Sequence, residues 1–271
     1  MANIDSAAPF SLLQVMAFFI AWTGCWLPLA TVCAFALDWR PLKPLNAKQK
    51  LPLLASLYLI APLVLWGAIW VLGSSFADYG FAWNGTLSSA SAGFGFGTLS
   101  LMVLFGLQTA LGWVTWQWAD GQKLVSVLLP TLLLALWVSG TEELVFRGFV
   151  LTQLQQDFRP WVAAAISSLI FALLHLVWEQ QETMPQLPGL WLLGMVLALA
   201  RYVDGGSLGL AWGLHAGLVW VIASLDSAQV TTYTGIASEW VTGKNGKPLA
   251  GAAGIFCLLT TGSILWWFSV H

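Results

Sequence analysis

Two glutamates stand side by side in Thr141-Glu142-Glu143-Leu144-Val145-Phe146-Arg147, straight after the apolar run Leu132–Val138, and Arg147 follows Glu143 by four residues. His175 and His215 lie in two further apolar runs, Phe171-Ala172-Leu173-Leu174-His175 and Trp212-Gly213-Leu214-His215. These are residue types that make a hydrolytic nucleophile. A carboxylate and imidazoles can take a proton from water directly. Alternatively Glu142, His175 and His215 can serve as ligands to Zn2+ with a water in the open position.

The surroundings make these residues hard to explain as ordinary surface groups. The chain has 271 residues, 58% hydrophobic and 8% charged, with mean hydropathy +0.78, against about a quarter charged in a soluble domain. Ten basic and twelve acidic residues cannot cover a soluble protein of this size, and the predicted fold class is all-α, a polytopic membrane protein of about eight transmembrane helices. Apolar runs of spanning length fall near 10–37, 51–73, 94–116, 124–156, 160–178, 189–203, 206–225 and 250–269. Of the twelve acidic residues all but Glu142 and Glu143 fall in loops or at span ends. A charge at membrane depth costs at least ~2.5–3.5 kcal/mol, so it faces a protein interior or cavity and needs a partner.

Glu143 has a local counter-ion, because an acid four residues before a base meets it on a helix. Glu142, turned about 100° away, has no cation at that spacing and must be satisfied from another helix, by water or by a proton. Gly209, Gly213 and Gly217 form a small-xxx-small row for close helix packing. His215, two residues from Gly213, points away from that row and into a different interface. His271 is a terminal residue and is set aside.

The other elements follow from punctuation. Pro130 and Ser139-Gly140-Thr141 predict a kink or break in the long fourth run, with Thr141 as a cap. Residues 74–93, rich in Gly, Ser and Ala, read as a loop, and 226–249 as a longer loop ending in a turn at Lys244-Asn245-Gly246-Lys247-Pro248. MANIDSAAPF lacks the basic region of a signal peptide, so the first run is expected to be retained as a helix. Arg40, Lys43, Lys48 and Lys50 in the first loop put that loop in the cytoplasm by the positive-inside rule, although Arg159 and Arg201 fall on the outer side. Trp residues at run ends, such as Trp39, Trp83, Trp118 and Trp240, read as an aromatic belt. Cys25, Cys33 and Cys257 read as packing residues. Without a visible repeat, one membrane domain over 1–271, with a motif-bearing core of about 124–225, is the simplest organisation. With a net charge of −2 and no basic stripe, nucleic acid is not an expected partner.

Glu142-Glu143-x-x-x-Arg147, Phe171-x-x-x-His175 and the His-x-x-x opening at His215, in this order on separate spans, resemble the CAAX protease and bacteriocin-processing (CPBP) family of intramembrane proteases. That family includes the eukaryotic CAAX prenyl endopeptidase. The resemblance covers 142–219 and implies an eight-helix fold in which Glu142 activates the water, Glu143 and Arg147 support it, and His175 and His215 complete the site. Glutamate-dependent and zinc-dependent mechanisms use the same residue types, so Zn2+ stays open at this point. The third motif departs from the pattern: Val219 replaces the usual Asn and has no donor for a developing oxyanion, with Trp212 a candidate substitute.

Two functions follow. One is an intramembrane endopeptidase acting on a membrane protein or lipidated peptide, in the plasma membrane or a thylakoid or other internal membrane. The alternative is a catalytically weak or inactive factor that binds and stabilises another membrane protein as a lasting partner. A transporter with a Glu/His proton relay ranks last, because no inverted repeat is visible.

Overall fold

The computed structural model describes residues 10–39, 46–117, 121–177 and 180–270. Expectations resting on residues 1–9, Arg40, Lys43, Trp118, Asp120, Glu179, His271 and the Trp83 side chain lie outside the described residues. The helices are α1 (Phe10–Ala36), α2 (Ala47–Val71), α3 (Trp83–Ala110), α4 (Gly121–Glu142), a π-helical segment (Glu143–Val150), α5 (Leu151–Leu154), α6 (Pro160–Leu174), α7 (Gln180–Thr183), α8 (Leu187–Val203), α9 (Gly209–Ala228), α10 (Glu239–Thr242) and α11 (Ala252–Val270). Among the described residues, eight helical stretches are long and apolar enough to cross a membrane: 10–36, 48–71, 85–110, 122–154, 160–177, 180–203, 209–228 and 252–270. The protein is an integral, multi-pass, all-α membrane protein. Its only described strands, β1 (Val114–Trp116) and β2 (Thr231–Tyr233), pair antiparallel with Thr115 opposite Thr232 and tie the ends of α3 and α9 together.

Local chemistry starts several helices. Asn46 and Gln49 form a reciprocal capping box at α2, and Pro160 occupies the first turn of α6, where its missing N–H is no loss. At α1 the cap comes from far away in sequence. Asp157 Oδ2 accepts the Ser11 backbone N–H at 2.8 Å, and this hydrogen bond holds the Asp157 carboxyl below the usual carboxylate range.

The centre of the bundle is α9, flanked by α3 and α4. A Cβ on Gly213 would meet the Ala90 carbonyl oxygen at 1.8 Å, and one on Gly217 the Phe94 carbonyl oxygen at 2.4 Å. The counterpart row is on α3, where a Cβ on Gly93 or Gly97 would lie 2.3 Å from the carbonyl oxygens of Leu210 or Leu214. The two backbones therefore touch, which is the packing the row on α9 predicts. It also corrects the loop expected over 74–93. The small residues from 83 onward are the first turns of α3, small because α9 lies against them; only 72–82 connects the spans, with a short 3-10 turn at Phe76–Tyr79.

On its other side α9 is fastened to α4 by polar rungs. Trp212 Nε1 donates to the Leu136 carbonyl at 2.8 Å, Trp220 Nε1 to the Leu128 carbonyl at 2.9 Å, and Thr131 and Ser224 hydroxyls meet between them at 2.7 Å. Trp22 similarly donates to the Leu57 carbonyl and Trp26 to Ser56. These four tryptophans inside spans thus work as interhelical donors, whereas Trp240 on α10 is exposed, as an interfacial residue would be. All three cysteines are free thiols, and Cys25 is exposed on α1 rather than packed.

The expected break at Ser139-Gly140-Thr141 is not there. α4 runs through it to Glu142, Thr141 caps nothing, and the irregularity begins one residue later as the π-helix 143–150. Gly140 has a different purpose: a Cβ there would come within 2.9 Å of Trp212 Nε1, so its absence lets the indole reach the Leu136 carbonyl.

Gly213→Leu is expected to lower thermal stability in detergent by about 1–3 kcal/mol or more, while Gly24→Leu, at a site with nothing within 4 Å, leaves it unchanged. Equal melting of the two variants would show that the α3–α9 contact does not carry the bundle.

Candidate active site

The site lies where the start of the π-helix meets α2, α6 and α9. Glu143 is fully buried and Arg147 is 1% exposed. Arg147 Nη1 donates to Glu143 Oε1 at 3.1 Å, so the i, i+4 pair survives the widened turn. The same Glu143 Oε1 lies 2.8 Å from His215 Nδ1. A carboxylate oxygen only accepts, so Nδ1 carries the proton and His215 turns Nε2 the other way. There Nε2 lies 3.7 Å from Glu142 Oε2. The remaining Glu142 oxygen, Oε1, accepts a short hydrogen bond from the Tyr58 hydroxyl on α2.

One imidazole therefore joins both glutamates: Glu143 orients it, and its free nitrogen faces Glu142. This arrangement gives the partner that Glu142 needed, and sequence reasoning had found only half of it. Tyr58 was missed, although a signal existed. It is the only one of the four tyrosines deep within a span, where a hydroxyl needs a partner.

His175 sits at the last turn of α6, half-buried, with Nδ1 2.8 Å from the Phe171 carbonyl oxygen. That bond spends its Nδ1 proton and leaves Nε2 as the free nitrogen. Phe171 links the groups. It is fully buried, Arg147 Cζ lies 4.4 Å above its ring, and its edge-to-face contacts reach His175 at 4.6 Å and His215 at 6.0 Å. The first residue of Phe-x-x-x-His is thus a cation–π platform that fixes Arg147.

His175, His215, Phe171 and Val219 line one cavity of about 540 Å³. Its wall is largely leucine, including Leu101, Leu104, Leu190 and Leu193, and its rim carries Lys50, Glu182 and the Asp226–Lys247 ion pair at 2.8 Å. These rim residues sit at span ends, so the cavity runs from one membrane surface toward the histidines.

The donors meet a zinc site's needs only in part. Glu142 Oε2 and His215 Nε2 stand near the separation of two ligands on a tetrahedral ion with bonds of about 2.0–2.2 Å. Among the described residues, however, no three His, Cys, Asp or Glu side chains are gathered as a metal site requires. Of the expected ligand set Glu142, His175 and His215, the structure brings the first and third together and leaves His175 apart, lining the same cavity. Trp212 does not serve as the substitute oxyanion donor, because its N–H is committed to the Leu136 carbonyl.

Residues 124–221 match the family model described as type II CAAX prenyl endopeptidase Rce1-like. This segment is similar to the CAAX prenyl endopeptidases that the model describes. The matched stretch is about a third of the chain and contains Glu142, Glu143, Arg147, His175, His215 and Val219. No curated protein and no solved structure matches the chain significantly.

Within the matched segment the Glu143–Arg147 pair is buried enough for its charges to be tested against each other. Arg147→Met is expected to cost about 3–5 kcal/mol by stranding a buried carboxylate, and adding Glu143→Gln should return more than half of that loss. Denaturation of the single and double variants measures it; additive losses would mean the pair is not coupled.

Proposed function

We propose that the protein is an intramembrane endopeptidase that hydrolyses a peptide bond of a membrane-associated protein or lipidated peptide, using a water activated by Glu142 and His215. The observation that carries this reading is the two-sided imidazole, held at Nδ1 by Glu143 and presenting Nε2 to Glu142 Oε2 at 3.7 Å. Tyr58 occupies Glu142 Oε1, so Oε2 is the oxygen left to take a proton from water. The water oxygen attacks the scissile carbonyl, Glu142 holds the proton and then gives it to the leaving amine, and the peptide C–N bond breaks. Arg147 holds the Glu143 carboxyl in place, so His215 stays oriented through both steps. The leucine-walled cavity supports a substrate with an apolar portion, and its charged rim supports entry from one membrane surface. His175, with Nε2 free, is suited to contact the peptide rather than to orient Glu142.

Val219 favours a second reading, a weakly active or inactive core that binds and stabilises another membrane protein. It lines the cavity beside His215 with an apolar side chain, where the family commonly offers a donor to the oxyanion. Loss of one such donor typically costs ~10²–10³ in rate.

The two readings separate on a pair of variants assayed with a membrane-anchored reporter peptide. Glu142→Gln is expected to cut turnover by ~10²–10⁴ with unchanged melting, and Val219→Asn to raise it by up to ~10². No cleavage by either the wild type or Val219→Asn, together with a co-purifying membrane protein retained by Glu142→Gln, would establish the binding role instead.

A further inference from the structure

A second cavity, of about 580 Å³, lies apart from the first, and Arg201 is its one charged wall residue. Arg201 is 8% exposed. Its Nε donates to the Gly206 carbonyl at 2.9 Å, and its Nη1 to Thr152 Oγ1 at 3.0 Å and, in a short hydrogen bond, to the carbonyl of Arg147. All of these acceptors are neutral. Among the described residues no carboxylate pairs with Arg201, and Asp204, the nearest acid in sequence, accepts the Leu210 backbone N–H at 3.0 Å instead. The end of α8 supplies at most about half a negative charge. Arg201 is therefore a buried cation with no carboxylate in ion-pair contact among the described residues, Glu143 acting on it only from a distance while paired with Arg147 and His215, and Nη2 has no acceptor among the described residues.

The cavity stands where three spans end. Gln155 follows the fourth, Tyr202 and Gly205 close the sixth, and Phe268 and Ser269 lie on the last turns of α11. This is a membrane surface, opposite the one reached by the Lys50–Lys247 rim, since each span ending here begins on that side. Tyr202 and Phe268 at its edge are exposed and give apolar cover alongside lipid chains, while Arg201, Gln155 and Ser269 give the wall its polar groups.

We propose that this cavity binds the phosphate of an anionic phospholipid headgroup, with Arg201 Nη2 as its charge-assisted donor. A phosphate supplies the missing negative charge and an acceptor for Nη2 together, and the acyl chains would leave past Tyr202 and Phe268 into the bilayer. Because Arg201 also holds the Arg147 carbonyl, an occupied site braces the π-helix that bears Glu143.

The test compares melting temperatures of the full chain in phosphatidylglycerol and phosphatidylcholine nanodiscs. Wild type is expected to melt about 5–10 °C higher in phosphatidylglycerol at roughly hundredfold excess over Kd. Ser269→Glu leaves the hydrogen bonds of Arg201 intact but places a carboxylate in the cavity, and should melt alike in both lipids. Equal melting of wild type in both lipids, or a phosphatidylglycerol gain that survives Ser269→Glu, overturns the proposal. A gain reproduced in detergent by inorganic phosphate would also overturn it, by making the ligand a free anion.

Discussion

The ionised group hardest to place in a bilayer is a carboxylate, and Glu143 is one with no exposure at all. Its neutralisation by Arg147 and His215 organises the elements around it. Arg147 must stay within reach along the widened π-helix, so its guanidinium rests on Phe171 of α6 and its carbonyl is held by Arg201 of α8. His215 must approach from α9, so α9 lies in the middle of the bundle. A π-helix is costly in isolation and is found mostly where function repays the irregular geometry. Here it begins at the charged residue itself.

Keeping α9 central requires two kinds of contact on its opposite sides. Toward α3 the contact is steric: glycines on both helices let backbones meet, and dispersion over a close interface does what the hydrophobic effect cannot do within lipid. Toward α4 it is polar, with Trp212 and Trp220 donating to main-chain carbonyls two turns apart. The combination fixes both the separation and the register of α9, which is what a 2.8 Å contact between His215 and Glu143 demands. α1, by contrast, is mostly lipid-facing, with 11% of its most apolar window buried against 56% for α9; it is attached through Trp22 and Trp26 and capped by Asp157.

The two cavities divide the molecule by chemistry. One descends from a charged rim to the two histidines through a leucine wall, and the other surrounds an arginine at the opposite surface. Arg147 separates them: its guanidinium faces the first site and its carbonyl the second. A change in the hold of Arg201 on that carbonyl therefore reaches Glu143 through four residues of one helix.

The number of spans, the pairing of Glu143 with Arg147 and the close face of α9 were all legible in the sequence. Each depends on local periodicity or on composition: spanning length, i, i+4 spacing and a glycine every fourth residue. The gathering of Glu142, Glu143 and His215 into one site was legible as a need, since an unpaired carboxylate at membrane depth requires something. Which groups meet it was not legible. Tyr58 is 84 residues from Glu142, and no rule of sequence spacing relates them. The same holds for the Asp157 cap on α1 and for Arg201 reaching Arg147. The first turns of α3 looked like a loop because small residues signal a turn in water and a helix contact in a membrane; only the neighbouring helix distinguishes the two. Sequence determined which residues must be buried and which of them would then need partners. Tertiary structure alone decided who the partners are, because that depends on the separations and rotations of helices that the chain specifies only when it is packed.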